Sequence, residues 1–192
     1  MLLMPLAGTC LPRRPLLTSV AMQPAAIPAD EPARLQALRD LMVLDTPPEE
    51  RFDRVVRFAA EQLDMPMALV SLVDGERQWF KSRIGLAQAE TSRDIAFCSH
   101  AILQEETFVV EDALLDPRFA DNPLVTDGPH IRFYAGAPLS APGGERVGTL
   151  CVLDRQPRHL GAVEMAVLEA LRTLVEEALA GQDPAADPGA AA

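Results

Sequence analysis

The run "MPMALVSLVD" (Met65–Asp74), resumed after Gly75-Glu76 as "RQWFKSRI" (Arg77–Ile84), decides the fold. Two strand-like runs around an Asp-Gly pair predict a β-hairpin, because tight primed turns take residues that tolerate positive φ. The first run is apolar on both faces, which predicts an interior strand covered above and below. In the second, Trp79 and Phe80 alternate, so one faces the core or a pocket and the other the opposite side.

Toward the C-terminus come three more strand candidates: "TFVVED" (Thr107–Asp112), "IRFYAGAPLSA" (Ile131–Ala141) and "RVGTLCVLD" (Arg146–Asp154). In the last, Val147, Thr149, Cys151 and Leu153 are expected on one face, with Gly148, Leu150 and Val152 on the other. "PGGER" (Pro142–Arg146) supplies the turn that makes the last two an antiparallel pair. Around the strands lie helical patterns. Leu35, Leu38, Leu41 and Met42 predict a short helix over Arg34–Met42. "DTPPEE" (Asp45–Glu50) interrupts it, and Asp45 or Thr46 before Pro47-Pro48 marks a new helix start. Phe52, Val55, Val56, Ala59, Ala60 and Leu63 then form one stripe at i, i+3, i+4, i+7 spacing. A closing helix over Leu160–Ala180 presents Val163, Val167, Leu168, Leu171, Leu174, Val175 and Ala178. The expected fold class is α+β: a central, mainly antiparallel sheet of five to six strands flanked by helices on both faces.

The ends read differently. Residues 1–31 carry prolines and no sustained period, the composition of a flexible leader; residues 182–192, "QDPAADPGAAA", read as a disordered tail. Both Met1 and Met22 fit as the start. The arginines follow the first apolar run rather than precede it, unlike an export signal, so the expected location is cytoplasmic.

Composition excludes several functions. A net charge of −11 argues against a nucleic-acid surface, which needs clustered Lys and Arg. No apolar run reaches the roughly 18 residues of a membrane span. The cation patch Arg77, Lys81, Arg83 and Arg93 reads as a solvated face. Cys10, Cys98 and Cys151 are too few for a disulfide framework, and with the scattered His100, His130 and His159 they lack zinc-ligand spacing, so no metal site is expected.

Taken in order, "LDTPPEERFD", "ALVSLVDGERQWFKS", "FCSHAI", "FVVEDALLDPRFADNPLV", "IRFYAGAPL" and "GTLCVLDRQPR" resemble the GAF domain family in its bacterial signalling branch, over about Arg34 to Gly181. The resemblance makes residues 32–181 the domain and implies a small-molecule-binding regulatory module with a pocket between sheet and covering loops. It also implies a homodimer, or control of a separate histidine kinase or cyclase, because no kinase or cyclase motif follows Leu179. The Asn-Lys-Phe-Asp-Glu signature of the cyclic-nucleotide branch is absent. The bilin-binding branch places a histidine directly after its cysteine, whereas here Ser99 intervenes. The cofactor is left unknown.

Cys98 and His100 are the densest chemistry in the chain. If "CSHAIL" is helical, as the resemblance implies, they project about 200° apart and cannot form a nucleophile–base pair. The plain reading of Cys98 is a buried thiol acting as a small hydrophobe beside Ile95 and Ile102. Against it stand two features: Ser92 or Asp94 as a helix cap just before it, and Cys151 in a strand that the helix could cover. The candidate ligand-binding residues are therefore Trp79, Phe97, Cys98, His100, Arg132 and Tyr134, with Cys98 and Cys151 as a redox pair and no catalytic or metal residue assigned. For Arg132 the expected partner is Asp112, Asp116 or Asp154 rather than a ligand. The leading expectation is a non-catalytic sensor. The alternatives are a thiol-based redox sensor or methionine-sulfoxide-reductase-like enzyme, and a structural dimer module with a filled pocket.

Overall fold

A computed structural model describes residues 22–181. Six strands form one sheet in the order β3-β2-β1-β6-β5-β4, every neighbouring pair antiparallel. They are β1 (Met67–Val73), β2 (Arg77–Ile84), β3 (Glu90–Ser92), β4 (Phe108–Val110), β5 (Phe133–Ser140) and β6 (Arg146–Asp154). The helices are α1 (Glu31–Asp40), α2 (Glu50–Gln62), α3 (Phe97–Ala101), α4 (Pro123–Thr126) and α5 (Ala162–Leu179), with a 3-10 turn at Arg93–Ile95. The α+β class and the mainly antiparallel sheet are as expected from sequence. Among the described residues no helix is long and apolar enough to cross a membrane.

β1 is buried at every position and lies between β2 and β6, which explains its apolar sequence on both faces. One face, carrying Ala68, Val70, Leu72, Ala135, Leu150 and Val152, packs under α1, α2 and α5. The opposite face, carrying Met67, Leu69, Phe80, Tyr134, Cys151 and Leu153, is covered by the short α3 and α4 and by loops. The two faces are thus unequal: long helices seal one, and short turns close the other. Asn122 caps α4, its Oδ1 accepting from Leu124 N with Pro123 at the first helical position, while its Nδ2 donates to Ile95 O.

Several local expectations are corrected. The β1–β2 connection is a three-residue loop closed by Asp74 N donating to Arg77 O, and neither Asp74 nor Gly75 takes positive φ. α1 starts at Glu31, and Met42, beyond its end, is 83% exposed with φ 53°. α2 is preceded by Glu49 and has no side-chain cap; Thr46 Oγ1 instead donates to Val43 O. A bulge opposite Leu139-Ser140 turns Val147 to the helical face, away from Cys151. Along α5, Val163 and Leu174 face outward, and Leu168, Leu171, Val175, Ala178 and Leu179 are the buried stripe. Pro138 lies in β5 beyond the stretch that β4 pairs, Tyr134–Gly136, so its missing N–H costs no bond to that edge strand.

The cation patch is only partly solvated: Arg83 is exposed and Arg77 half-buried, whereas Lys81 and Arg93 are buried. Lys81 occupies a second bulge, in β2, where its ammonium is fully buried over the Phe52 ring, 2.6 Å from Glu49 and 2.9 Å from Pro47 O. Arg93 is buried too, and its Nη1 donates to Glu31 and to the carbonyls of Asp74 and Gly75. Arg34 shares Glu31 with it, through Nε and Nη2 at 2.7 Å each, and sends Nη1 to Val73 O. Helix α1 is therefore pinned to the β1–β2 loop by one carboxylate between two guanidiniums. Of the expected leader, residues 1–21, with Cys10, lie outside the described residues, as do 182–192 of the tail.

Candidate functional site

Beneath α3, on the loop-covered face of the sheet, lies a narrow cavity of about 20 Å³, room for one water-sized molecule. Strand residues Leu69, Gln78, Phe80, Tyr134, Cys151 and Leu153 form its floor. Phe97 and Cys98 of α3 form the roof, and Leu86, Thr91, Leu124 and Ile131 close the sides. Phe97 stacks on Phe119 at 4.1 Å and on Tyr134 at 5.2 Å between ring centroids, which fixes the roof to the floor.

The Cys98 sulfur is the polar focus. Thr149 Oγ1 donates to it from 3.0 Å and Tyr134 Oη from 3.2 Å, and Cys151 Sγ lies 3.9 Å away. Burial pushes this thiol up. Hydrogen bonds from Cys151, from the nearby Ser71 hydroxyl and from Thr149 and Tyr134 more than offset it, leaving the Cys98 thiol at about 7. Ser71 Oγ makes no well-formed hydrogen bond, so the Thr149 and Tyr134 donors carry more of this effect. Cys151 moves the other way, raised by burial and by the negative charge that Cys98 acquires first. Tyr134 is likewise held neutral by burial and by the two sulfurs.

In the cavity wall two polar atoms have no hydrogen-bond partner among the described residues, Gln78 Oε1 and Thr91 Oγ1, and the two residues are paired across β2 and β3. Gln78 is only 4% exposed, a burial that normally demands a partner. Among the described residues no Lys, Arg, His, Asp or Glu lines the cavity wall; its titratable groups are Cys98, Cys151 and Tyr134.

Of the residues singled out by sequence, Phe97, Cys98, Tyr134 and Cys151 meet here. Trp79 does not: it packs on the opposite face of the sheet, the one under the long helices. His100 lies outside the wall, edge-on to Phe119 at 4.8 Å, with Nε2 3.1 Å from Gln23 O. Burial and the Arg118 cation lower its pKa, the Gln23 carbonyl opposing them. Arg132 makes a two-pronged ion pair with Asp112, Nε to Oδ1 at 2.6 Å and Nη2 to Oδ2 at 2.5 Å, also away from the cavity. The Ser92 cap belongs to the separate 3-10 turn, where its Oγ accepts from Asp94 N, and α3 begins uncapped.

Gln78, Thr91, Thr149 and Gly136 were missed. Gly136 has the clearest signal, a glycine in "FYAGAP": a Cβ there would lie 2.0 Å from Tyr134 Oη, so only glycine lets the phenol lie along the strand and reach Cys98. Gly136→Ala is expected to displace the Tyr134 hydroxyl and raise the Cys98 pKa by about one unit, read by the pH dependence of alkylation.

A second surface feature competes for attention. Between α2 and α5 runs an open apolar groove of about 310 Å³, lined by Val55, Phe58, Leu171, Leu174 and Ala178, with Arg51 and Arg54 at its border.

Comparison with known proteins adds three findings. A family model described as GAF domain matches residues 47–179. A cyclic di-GMP phosphodiesterase of Pseudomonas aeruginosa is 44% identical over 149 residues, 77% of this chain and 25% of that protein. Among solved structures, the GAF domain of an Acinetobacter phosphoenolpyruvate-protein phosphotransferase superposes with TM-score 0.56 at 18% identity, covering 78% of this chain and 94% of that one. A free methionine-R-sulfoxide reductase from Neisseria meningitidis, in complex with its substrate, gives 0.57 at 17%, covering 86% and 100%. At these identities the structural likeness is one of fold. The chain spans about a quarter of the length of the curated relative it matches.

Proposed function

The chain belongs to the GAF domain family, and from that premise we propose that it is a non-catalytic sensor whose cavity beneath α3 takes a small, uncharged, hydrogen-bonding molecule. The observation that carries this reading is the unpartnered Gln78 Oε1, buried in the cavity wall beside Thr91 Oγ1. An N–H or O–H donor on the ligand would satisfy Gln78, and a wall without Lys, Arg, His, Asp or Glu disfavours a strongly charged ligand. Entry requires the half-buried Leu86 and Leu124 to move, since the cavity as it stands admits only a water-sized molecule.

The signal route is short. Ser99 Oγ, next to Cys98, donates to Arg93 O at 3.0 Å, and the Arg93 guanidinium holds Glu31 of α1. Displacing α3 by an occupant therefore loads the contact that fixes α1. The output we favour is a cyclic di-GMP phosphodiesterase of the kind the Pseudomonas relative is named for, rather than a histidine kinase or a cyclase. Pairing of two copies through α2 and α5, where Phe58 and Leu174 stand exposed, is the assembly that would carry the movement across.

The test is native mass spectrometry of the purified chain, followed by Gln78→Leu. The substitution is expected to raise apo stability by about 1 kcal/mol, because it removes an unsatisfied buried polar atom. It should also weaken the retained molecule about tenfold. Unchanged retention in Gln78→Leu would sink the reading. The small cavity volume favours a second reading, a scaffold whose pocket stays filled by side chains and which acts only through the α2–α5 face. It is the one left if nothing is retained while light scattering shows a dimer.

A further inference from the structure

We propose that Cys98 and Cys151 are a hydrogen-peroxide-reactive pair that closes reversibly into a disulfide between α3 and β6. The sensor reading makes no use of thiol chemistry, and this proposal stands without it.

Several independent features of the geometry converge. The sulfurs are 3.9 Å apart, so a shift of about 2 Å brings them to bonding distance near 2.05 Å. Both are free thiols, and each lines the same cavity. Cys98 accepts from Thr149 Oγ1 and Tyr134 Oη, the arrangement that stabilises a thiolate, and the attacking species in thiol oxidation is the thiolate. These donors lower the Cys98 thiol toward neutrality while Cys151 is raised, so Cys98 is the sulfur that ionises first. The narrow cavity favours a small oxidant: hydrogen peroxide, with two heavy atoms, needs far less widening of its 20 Å³ than an organic hydroperoxide.

The electron count closes in two steps. Cys98 thiolate attacks one peroxide oxygen; the S–O bond forms, the O–O bond breaks, and the departing hydroxide takes up the proton that Cys98 released, leaving as water. Cys151 sulfur then attacks the sulfenic sulfur of Cys98. The S–S bond forms, the S–O bond breaks, and hydroxide leaves with the Cys151 proton as a second water. Two thiols and one hydrogen peroxide give one disulfide and two waters, and a dithiol reductant reverses the change by exchange.

The experiment uses the full chain carrying Cys10→Ser. It is exposed to hydrogen peroxide, then denatured with an alkylating agent, and read by intact mass and peptide mapping. Expected is a loss of two hydrogens, protection of both thiols and a Cys98–Cys151 crosslinked peptide, all restored by dithiothreitol. Cumene hydroperoxide should react at least tenfold more slowly, and Tyr134→Phe should slow the hydrogen peroxide reaction about fivefold at neutral pH. Two free thiols at peroxide concentrations that oxidise free cysteine would overturn the proposal. So would Cys98 carried to the sulfinic acid with Cys151 still free. The crosslink readout needs no variant at either cysteine, so a folding defect in Cys98→Ser or Cys151→Ser does not decide the matter.

Discussion

Glu31→Ala is expected to lower the unfolding free energy by about 3–5 kcal/mol, the range for leaving buried charge without its partner. Glu31 is the shared anion for Arg34 and Arg93, whose side chains are 2% and 7% exposed. Without it the two guanidiniums keep only backbone carbonyls, of Val73 for one and of Asp74 and Gly75 for the other. Urea denaturation measures the loss, and limited proteolysis locates it: α1 should become the first site of cleavage. An unchanged midpoint would show that α1 is held by Leu38 packing instead. The same ion triad sets an acid limit. Burial pushes the Glu31 carboxyl up, but hydrogen bonds from Arg34 and Arg93 win and hold it at about 2 against 4.5. A depressed carboxylate stabilises the fold fully above its unfolded value and less as pH falls toward the folded one. About 3 kcal/mol should therefore disappear between pH 4.5 and 2, and Glu31→Gln should flatten stability across that window.

Gly148→Ala is the second large effect, expected at about 4 kcal/mol or more with no soluble folded protein as the extreme outcome. A Cβ at position 148 would lie 2.0 Å from Ser71 O and 3.1 Å from Leu72 Cα, both backbone atoms of the central strand β1. A flexible side chain could move aside; a ladder carbonyl cannot without breaking the β1–β6 pairing at Leu72–Gly148. Circular dichroism and thermal melting of the variant give the answer, and a melting point within a few degrees of the parent would refute the tight approach of these strands. Gly144→Ala makes a useful contrast: it meets no atom within 4 Å, but its φ of +95° adds backbone strain.

What the sequence made legible was what periodicity encodes. β1 and β6 were readable because unbroken apolar runs fit only strands covered twice, and α2 because its stripe has the helical period without interruption. Bulges were not readable, and they moved Val147 to the other face and put Lys81 into its buried niche, since an extra residue leaves no mark in an alternating pattern. The buried Arg93 was misassigned for a related reason: a charge inside a protein is explained by its partner, and Glu31 is 62 positions from Arg93. The site was half legible. Cys98, Cys151, Phe97 and Tyr134 announce themselves by residue type, and their meeting follows from α3 lying across β5 and β6. Gln78 and Thr91 look like any polar pair on a strand, and only their lack of partners inside the fold marks them.

The borders of the sheet carry a last consequence. β3 and β4 are three residues each, so the unpaired main chain at either margin is little longer than a single turn of extended backbone. Edge strands this short are a poor template for a visiting polypeptide, which disfavours cross-β growth and strand exchange between copies. Among the described residues, contact with a partner is therefore favoured through side chains on the helices and loops.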